Sequence, residues 1–596
     1  MKHPLDQTWD LDSLFPGGSS SQAFASFLDE TGGLIGRLRR TLEGMAAPQT
    51  VAEAGTLDEV VSLIQQIMHH MGEADSFTAC LMAADMNDKQ ALRLSGIVRQ
   101  LSAEYQSALT KFDQLLSEIP DETWQLLVER DKWERIGFNL SERRTLAKEK
   151  LPPELEALAG DLAIDGYHGW SSLYDTTVST IRIPFVEDGK TVTLSAGQAA
   201  NKLLSGDRKV RSDLFRKWEQ AWADKADFCA EALNHLGGFR LQLYKHRGWD
   251  SVHKEPLQIN RMQQQTLDVM WETIERNKEP LVRYLERKAK LFGVERLSWH
   301  DVDAPIGKQT VTVSYDDAAD MIIGQFGQFS PKMAAFAREA FEKRWIEAED
   351  RPGKRPGGFC TSFPLHKQPR IFMTYAGMAS NVSTLAHELG HAYHQHVMND
   401  LPALAQDYAM NVAETASTFA EMVVSDAAVR LARDEQEKLV LIEDKIQRAV
   451  AFFMNIHARF LFETRFYEER KRGLVSVERL NELMVEAQRE AYCDALGEYH
   501  PHFWASKLHF YITEVPFYNF PYTFGYLFSA GIYHLVRREG TAFEDKYADL
   551  LRDTASMPGE ELAMNHLGAD LTKPDFWQSA IDLCLEDVDT FLALTE

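Results

Sequence analysis

Five residues, His387 to His391, constrain the fold of this chain more than any other segment, because they read H-E-x-x-H. Apolar residues recur around them at the spacing of one helix face, at Val382, Leu385, Ala386, Leu389 and Ala392. In a helix, two histidines four residues apart leave the same face, and both imidazoles can bind one metal ion. Neutral imidazole is a good zinc ligand, and Glu388 would stand beside a metal-bound water whose proton it can accept as general base. The pattern predicts one Zn2+ per chain, held on a helix.

A catalytic zinc site usually has three protein ligands. The metzincin pattern would place a glycine three residues and a histidine six residues after His391, but His394 and Val397 stand there, so that class is excluded. The next strong acidic candidate is Glu414, in a second helix-like segment that can fold back beside the first. The predicted metal ligands are therefore His387, His391 and Glu414. The alternative, a solvated helix whose polar residues have no role, is disfavoured by the apolar stripe and the downstream glutamate.

Several other segments match one known family of enzymes. They are Trp9 to Phe15, Gly357-Gly358-Phe359, Met373-Thr374-Tyr375, Glu414-x-x-Ser417-x-x-x-Glu421 and Phe517 to Tyr522. Together with the H-E-x-x-H segment they resemble the oligoendopeptidase F branch of the M3 zinc metallopeptidases. The resemblance implies a mainly α protein with two helical lobes around a deep substrate cleft, a small β-sheet beside the zinc helix, and short peptides as substrates.

The segment from His509 to Tyr526 is unusually aromatic. Peptide hydrolysis needs a donor that stabilises the oxyanion, worth about 3 kcal/mol, and tyrosine and histidine can supply one. The resemblance implies that His509, Tyr518 and Tyr522 belong to the site. Tyr526 is a further candidate, because related peptidases carry a tyrosine in a similar Gly-Tyr-Leu context. The sequence does not choose among the tyrosines, and packing in the core is an equal alternative for each of them.

Four further polar residues near the motif are not predicted to bind the metal. Ser417 and Glu421 are predicted to orient the zinc ligands, since ligating histidines usually donate their second N–H to a carboxylate or carbonyl. Ordinary polarity of a helix surface is the alternative. His394 and His396 follow the motif closely and are expected to be bystanders.

Charge and cysteine content exclude several classes of protein. A net charge of −25 disfavours a nucleic-acid binder, because a phosphate backbone favours a basic surface. The five cysteines are scattered without a C-x-x-C pair, which favours a reducing compartment. Neither a signal peptide nor a membrane span is indicated. A cytoplasmic protein is expected, with no membrane partner, and the sequence does not indicate an oligomeric state.

The order of predicted elements suggests two parts, an N-terminal helical lobe at 1–185 and a catalytic domain at 186–596. Alternation at Ile183, Phe185, Val192 and Leu194 around Asp188-Gly189 predicts a hairpin. A long helix is predicted from Leu439 to Phe460. Two strand-like runs precede the motif, at 359–363 and 370–375. If the second is an edge strand beside the zinc helix, it can pair with the backbone of an extended peptide.

The predicted function is that of a zinc-dependent endopeptidase that cuts internal bonds of oligopeptides. One alternative is an enzyme that cuts only near a chain end, such as a dipeptidyl carboxypeptidase or carboxypeptidase. A second alternative is a peptide-binding protein with a degenerate zinc site. A peptide blocked at its ends would separate the first two, and metal analysis with a binding assay would identify the third.

Overall fold

A computed structural model describes residues 4–187, 189–307 and 312–596. The N-terminal third is helical, with α1 (Gln22–Glu43), α2 (Gly55–Ala84), α3 (Lys89–Glu118), α4 (Asp121–Val128), α5 (Gly137–Lys148), α6 (Pro153–Ala163) and α7 (Gly169–Ser179). A two-stranded hairpin follows, with β1 (Ile183–Glu187) and β2 (Lys190–Leu194).

The middle of the chain is also helical until it reaches a small sheet. Its helices are α8 (Ala196–Lys202), α9 (Arg208–Ala223), α10 (Ala226–Arg247), α11 (Lys254–Ile259), α12 (Gln264–Arg276), α13 (Glu279–Leu291), α14 (Tyr315–Phe329) and α15 (Pro331–Glu342). The sheet strands are β3 (Ile346–Glu347), β4 (Phe359–Phe363) and β5 (Gln368–Phe372).

The C-terminal part contains the H-E-x-x-H helix. Its helices are α16 (Ala379–Met398), α17 (Met410–Ala413), α18 (Thr415–Leu431), α19 (Glu435–Val450), α20 (Ile456–Arg470), α21 (Val477–Ala491), α22 (Phe503–Ser506), α23 (Phe520–Glu539), α24 (Glu544–Asp553), α25 (Gly559–Leu567) and α26 (Pro574–Leu594). The predicted long helix is present, because a π-helical turn at Ala451–Asn455 joins α19 to α20. The mainly α class is therefore confirmed.

The buried apolar side chains form separate cores. The largest runs from Ala163 to Phe591 and includes the apolar face of α16. A second core lies among α1 to α5 and reaches Met398 and Leu404, just after the H-E-x-x-H segment. The N-terminal helices thus pack against the C-terminal end of α16. The predicted division at 185/186 stays a prediction.

The predicted hairpin is confirmed over its described residues. Strands β1 and β2 are antiparallel, with Ile183 opposite Leu194 and Phe185 opposite Val192. Asp188, half of the predicted turn, lies outside the described residues.

The condition that the strand at 370–375 lies at an edge of the sheet is not met. The three strands lie in the order β3-β5-β4, so β5 is central and ends at Phe372. The N–H of Ile371 donates to Trp345 O at 2.9 Å, on the β3 side, so the alternate residues of β5 face β4. Sequence patterns mark a strand but not its neighbours, and here the two-residue strand β3 gives β5 its second partner. The outer strands of this sheet are β4 and the two-residue β3.

Along the described ranges, every helix is too short or too polar to cross a lipid bilayer.

Candidate active site

Helix α16 separates an apolar face from a polar one. Leu385, Ala386 and Leu389 are fully buried, whereas His387 and His391 lie one turn apart on the half-buried opposite side. The helix begins after Met378, where Asn381 Oδ1 accepts from the N–H groups of Ala376 at 2.9 Å and Met378 at 3.2 Å. The sequence pattern thus produces the predicted helix and directs both imidazoles to the same side.

Gly390 allows the second helix to approach. A Cβ built on Gly390 would lie 2.4 Å from Ala416 O and 2.6 Å from Ser417 Cα, closer than any side chain tolerates. Helices α16 and α18 therefore touch backbone to backbone at this point. The contact brings Glu414, the residue just before α18, next to the two histidines.

The three predicted metal ligands come together. Glu414 Oε2 lies 3.3 Å from His387 Nε2 and 3.4 Å from His391 Nε2. One donor atom from each residue fits within 4.8 Å of the other two. Two imidazole nitrogens and one carboxylate oxygen are a donor set typical of catalytic zinc sites, so these residues fit the ion.

Glu414 is held from two directions. Ser417 Oγ donates to Glu414 Oε2 at 2.6 Å. On the other side Ser529 Oγ, in α23, donates to Glu414 O at 3.2 Å, and Gly525 lies so close that a Cβ there would be 3.2 Å from Glu414 Cβ. Burial alone would raise the pKa of Glu414, but the hydrogen bond and charge of His391, followed by the charge of His387, hold that pKa at about 2. Glu414 is therefore an anion that faces the histidines.

His387 has a carboxylate behind it. Its Nδ1 lies 3.3 Å from Glu421 Oε2, and the other oxygen of Glu421 is 2.5 Å from Arg448 Nη1. Burial would lower the pKa of His387, but the hydrogen bond to Glu421 and the charges of Glu421, Glu414 and Glu388 raise it. Arg448 also pairs with Asp444, on its own helix. The series of contacts from Arg448 through Glu421 to His387 fixes the imidazole tautomer with the proton on Nδ1 and leaves Nε2 facing Glu414.

The carboxylate of Glu388 is buried next to Gly358. The residue is 6% exposed, and its Oε2 has no hydrogen-bond partner among the described residues. A Cβ on Gly358 would lie 3.3 Å from Glu388 Oε1, so any larger residue there would crowd this carboxylate. Burial raises the pKa of Glu388, while the charges of His391 and His387 lower it. A buried carboxylate with a raised pKa and a free oxygen is suited to accept a proton.

Three of the four predicted oxyanion candidates form a chain that leads to this site. The ring of His509 is 5.3 Å from that of Tyr518, and Tyr518 is 5.8 Å from Tyr522. The Tyr522 hydroxyl donates to the Tyr518 oxygen at 3.4 Å. Burial, Tyr518 and the charge of Glu414 all raise the pKa of Tyr522. Burial and the nearby cations Arg459 and Lys507 lower the pKa of His509 to about 4, so its imidazole is neutral near pH 7.

Tyr526 faces a different part of the molecule. It is 6% exposed, and its ring stacks on Phe452 with 4.4 Å between centroids. Its hydroxyl lies beside the thiol of Cys584. The structure does not bring Tyr526 together with Tyr518 and Tyr522.

Comparisons with known proteins agree with the site. Residues 327–583, which contain the H-E-x-x-H segment and Glu414, match the family model of peptidase family M3. Residues 116–183 match a second model, described as oligopeptidase F. The chain belongs to the M3 family of metallopeptidases, in its oligoendopeptidase F branch.

Relatives of this M3 peptidase match over most of their length. Oligopeptidase PepF of Bacillus subtilis is 23% identical over 98% of this chain and 86% of its own. An oligoendopeptidase F homolog of Lactococcus lactis is 25% identical over 68% of this chain and 67% of its own.

Solved structures share the fold. A putative peptidase from Chlamydophila abortus has a TM-score of 0.83 and 16% identity, with 100% of this chain and 99% of that chain covered. The oligoendopeptidase-F of Enterococcus faecium has a TM-score of 0.69 and 18% identity, with 96% and 98% covered.

Other predictions for this M3 peptidase can now be compared with the contacts. Ser417 and Glu421 make the contacts expected of residues that orient the ligands. His394 is fully buried, where its Nε2 contacts Thr554 Oγ1 at 2.9 Å and its ring stacks on Tyr408. His396 packs on Phe336 with 4.6 Å between ring centroids. Both side chains make packing contacts, and their expected lack of a catalytic role stays a prediction.

Sequence reasoning missed three residues of this M3 peptidase's site. Arg448 holds Glu421 from another helix, and no local spacing signals such a long-range pair. Gly525 and Ser529 brace the turn of Glu414. A lone glycine inside the aromatic segment was the available signal, since glycine within a helix often marks a close backbone approach.

Proposed function

We propose that the chain is a zinc-dependent endopeptidase that hydrolyses internal peptide bonds of oligopeptides. One observation carries the proposal: the Nε2 atoms of His387 and His391 and Glu414 Oε2 face one another, and a buried carboxylate, Glu388, lies beside them. The printed names of the relatives, oligopeptidase and oligoendopeptidase, support the class of substrate.

His387, His391 and Glu414 would hold the ion. When bound, zinc would act as a Lewis acid that polarises the scissile carbonyl and lowers the pKa of its bound water to about 7. Glu421 accepts from His387 Nδ1–H and thereby orients the ring, and Arg448 keeps Glu421 ionised and in place. Ser417 does the same for Glu414.

Glu388 moves the proton. Its carboxylate accepts a proton from the attacking water and then passes it to the nitrogen of the leaving amine. The absence of a hydrogen-bond partner on Oε2, within the part of the chain that the structure describes, leaves this oxygen available for the water. The glycine at 358 keeps side chains out of that space.

Tyr518 and Tyr522 are the proposed oxyanion donors, with neutral His509 next to them. Two hydroxyls that share one hydrogen bond have one proton left for a substrate oxygen. The pKa of His509 is about 4, so its imidazole is neutral near pH 7 and adds no positive charge beside the two tyrosines. Tyr526 is omitted, because its hydroxyl is next to Cys584.

The outer edge of β4 at Gly358 and Cys360 is the proposed docking site for the substrate backbone, whereas further along this edge Ser362 O already accepts from Ser76 Oγ of α2. Because Thr361 pairs with Arg370 on the hydrogen-bonded side, the N–H and C=O of Cys360 face outward. Gly358, next along this edge, touches Glu388. A peptide added to this edge would be bound mainly through its backbone, with little dependence on its sequence.

We also propose that the enzyme works in the cytoplasm, on oligopeptides rather than nucleic acid. All five cysteines carry free thiols, which is compatible with a reducing compartment. The net charge of −25 disfavours contact with phosphate backbones.

Glu388→Gln tests the proposal. The variant keeps its ligands but cannot accept the proton, so we expect normal zinc content and a loss of kcat of several orders of magnitude. Zinc is measured by metal analysis, and hydrolysis by mass spectrometry of a peptide blocked at both ends. Glu435→Gln, an exposed glutamate of α19, is the matched control. Turnover retained by Glu388→Gln would refute the assignment, and a wild type that cuts only unblocked peptides would favour the chain-end alternative.

A further inference from the structure

Two cations share one aromatic ring beside the aromatic segment. Arg459 Cζ lies 5.3 Å from the ring centroid of Phe503, and Lys507 Nζ lies 5.1 Å from the same centroid. Both side chains are half-buried. Neither forms an ion pair with any carboxylate that the structure describes. Asp303 influences both charges, but it is exposed and lies beyond ion-pair distance.

Buried hydrogen-bond donors around these cations lack acceptors. Asn519 is 2% exposed, and its Oδ1 accepts from Arg459 Nη1 at 2.8 Å. Its Nδ2 and Arg459 Nε are buried donors without an acceptor among the described residues, and the nearby ring nitrogen His509 Nδ1 is also buried without a partner there. Unsatisfied buried donors are rare and cost free energy, so a cluster of them indicates a missing acceptor.

Buried cations elsewhere in the chain have partners, which are carboxylates for some and neutral acceptors for others, such as Lys278 and Arg370. Lys288 Nζ lies 2.9 Å from Glu443, and Lys354 Nζ lies 3.4 Å from Glu347. Burial followed by the charge of Arg459 lowers the pKa of Lys507 to about 8, and burial lowers the pKa of Arg459 to about 10, as it does for Arg370. Two like charges held together without an anion are unfavourable, and a bound anion would relieve their repulsion.

This cluster lies along the chain of rings that leads to the metal ligands. Asn519 follows Tyr518 directly in the sequence, and the charges of both cations contribute to the lowered pKa of His509. From His509 the rings of Tyr518 and Tyr522 follow at 5.3 and 5.8 Å. Each of these steps equals between one and two residues of extended peptide, at about 3.3 Å per residue. An anion in the cluster would therefore be a few residues from the bond that is cut.

We propose that Arg459, Lys507 and Asn519 bind a carboxylate of the peptide substrate. This inference rests on the proposed function. The carboxylate comes either from the C-terminus of the peptide or from an Asp or Glu side chain. A guanidinium, an ammonium and an amide N–H provide several charge-assisted donors for its two oxygens. Such an anchor would fix the distance between the carboxylate and the cut, so that short peptides are cleaved at one main bond.

Matched peptides test the proposal on wild-type enzyme. One peptide has a free C-terminal carboxylate, the second is its C-terminal amide, and the third is the amide with a glutamate near that end. We expect kcat/KM for the free acid to exceed that of the amide by about 10-fold or more, chiefly through KM. If the third peptide regains the rate, an acidic side chain is also accepted; if it does not, the C-terminus is the ligand.

Variants then assign the effect to the cluster. Arg459→Met and Lys507→Met should each remove the preference, so that the free acid and the amide are cleaved with similar kcat/KM. Two variants are used because either could fold poorly alone. Arg465→Met is the matched control, since Arg465 lies on the same helix but already pairs with Glu490 at 2.5 Å. A wild type without preference, or variants that slow both peptides equally, would overturn the proposal.

Binding distinguishes this failure from failure of the proposed function. The affinity of the free acid and the amide for the Glu388→Gln protein is measured by calorimetry, which needs no turnover. Tighter binding of the acid, lost in Lys507→Met, supports the carboxylate site even if no peptide is hydrolysed. Equal binding of both peptides rejects the site even if hydrolysis is rapid.

Discussion

The helix pair α16 and α18 and the aromatic loop, residues 507–519, serve one site but are built differently. In the helix pair, regular backbone places His387 and His391, and a single close contact at Gly390 brings Glu414 to them. In the aromatic loop, Phe517 has a left-handed backbone with φ of 52°, which is strained for a bulky residue. In the helices, the regular spacing of residues positions the metal ligands. In the aromatic loop, contacts with side chains far away in sequence fix the backbone. Mutations should therefore affect the two regions in different ways.

Loss of a ligand in the helix pair should have the largest effect. Glu414→Ala removes the carboxylate that lies 3.3 and 3.4 Å from the two imidazoles. We expect zinc affinity to fall by more than the ~10–100-fold typical of an outer-shell partner, and activity to be lost with it. Competition with a chelator measures the affinity, and Glu435→Ala is the control. Unchanged zinc content in Glu414→Ala would show that another residue completes the set.

Mutations of the tyrosines in the aromatic segment should lower kcat without changing the zinc content. Tyr518→Phe and Tyr522→Phe should each lower kcat by about 10²-fold with zinc content unchanged. Because the two hydroxyls share one hydrogen bond, the double variant should lose much less than the product of the single losses. Tyr526→Phe is the control, since that hydroxyl is next to Cys584. A large loss in Tyr526→Phe alone would move the oxyanion donor to that residue.

The same difference explains what the sequence could predict. Periodicity and a four-residue spacing were enough to predict α16 and the two histidines on its polar face, because these depend on local helix geometry. The position of β5 could not be predicted, since its second neighbour is the two-residue strand β3, more than 20 residues earlier. Arg448, Arg459 and Lys507 were not predicted for the same reason. Their roles depend on contacts between segments far apart in sequence, and a lone basic residue is usually a solvated one.

Gly390 tests how closely the helix pair must approach. In Gly390→Ala the new Cβ would meet Ala416 O at 2.4 Å, and backbone cannot rotate away as a side chain can. We expect the free energy of unfolding to fall by about 1–3 kcal/mol, with weaker zinc binding because Glu414 is displaced. Gly33→Ala is the matched control, since Gly33 lies within α1 with nothing within 4 Å of an added Cβ. That variant should be neutral or slightly stabilised.

The aromatic loop is held by a buried carboxyl, and this predicts the smallest effect, one that appears as a pH dependence of stability. Glu463 accepts from the N–H of Phe517 at 3.0 Å, and burial raises the pKa of Glu463 to about 7. The folded state therefore keeps a proton up to about pH 7 that the unfolded state releases near pH 4.5. As the pH rises through this window the folded state loses stability, by up to about 3 kcal/mol relative to a residue that does not titrate. Glu463→Gln keeps the acceptor oxygen and removes the titration. Urea unfolding at several pH values should show wild type declining against Glu463→Gln between pH 4.5 and 7 and running parallel to it above. Parallel curves throughout would mean that the pKa of Glu463 is the same in the folded and the unfolded state.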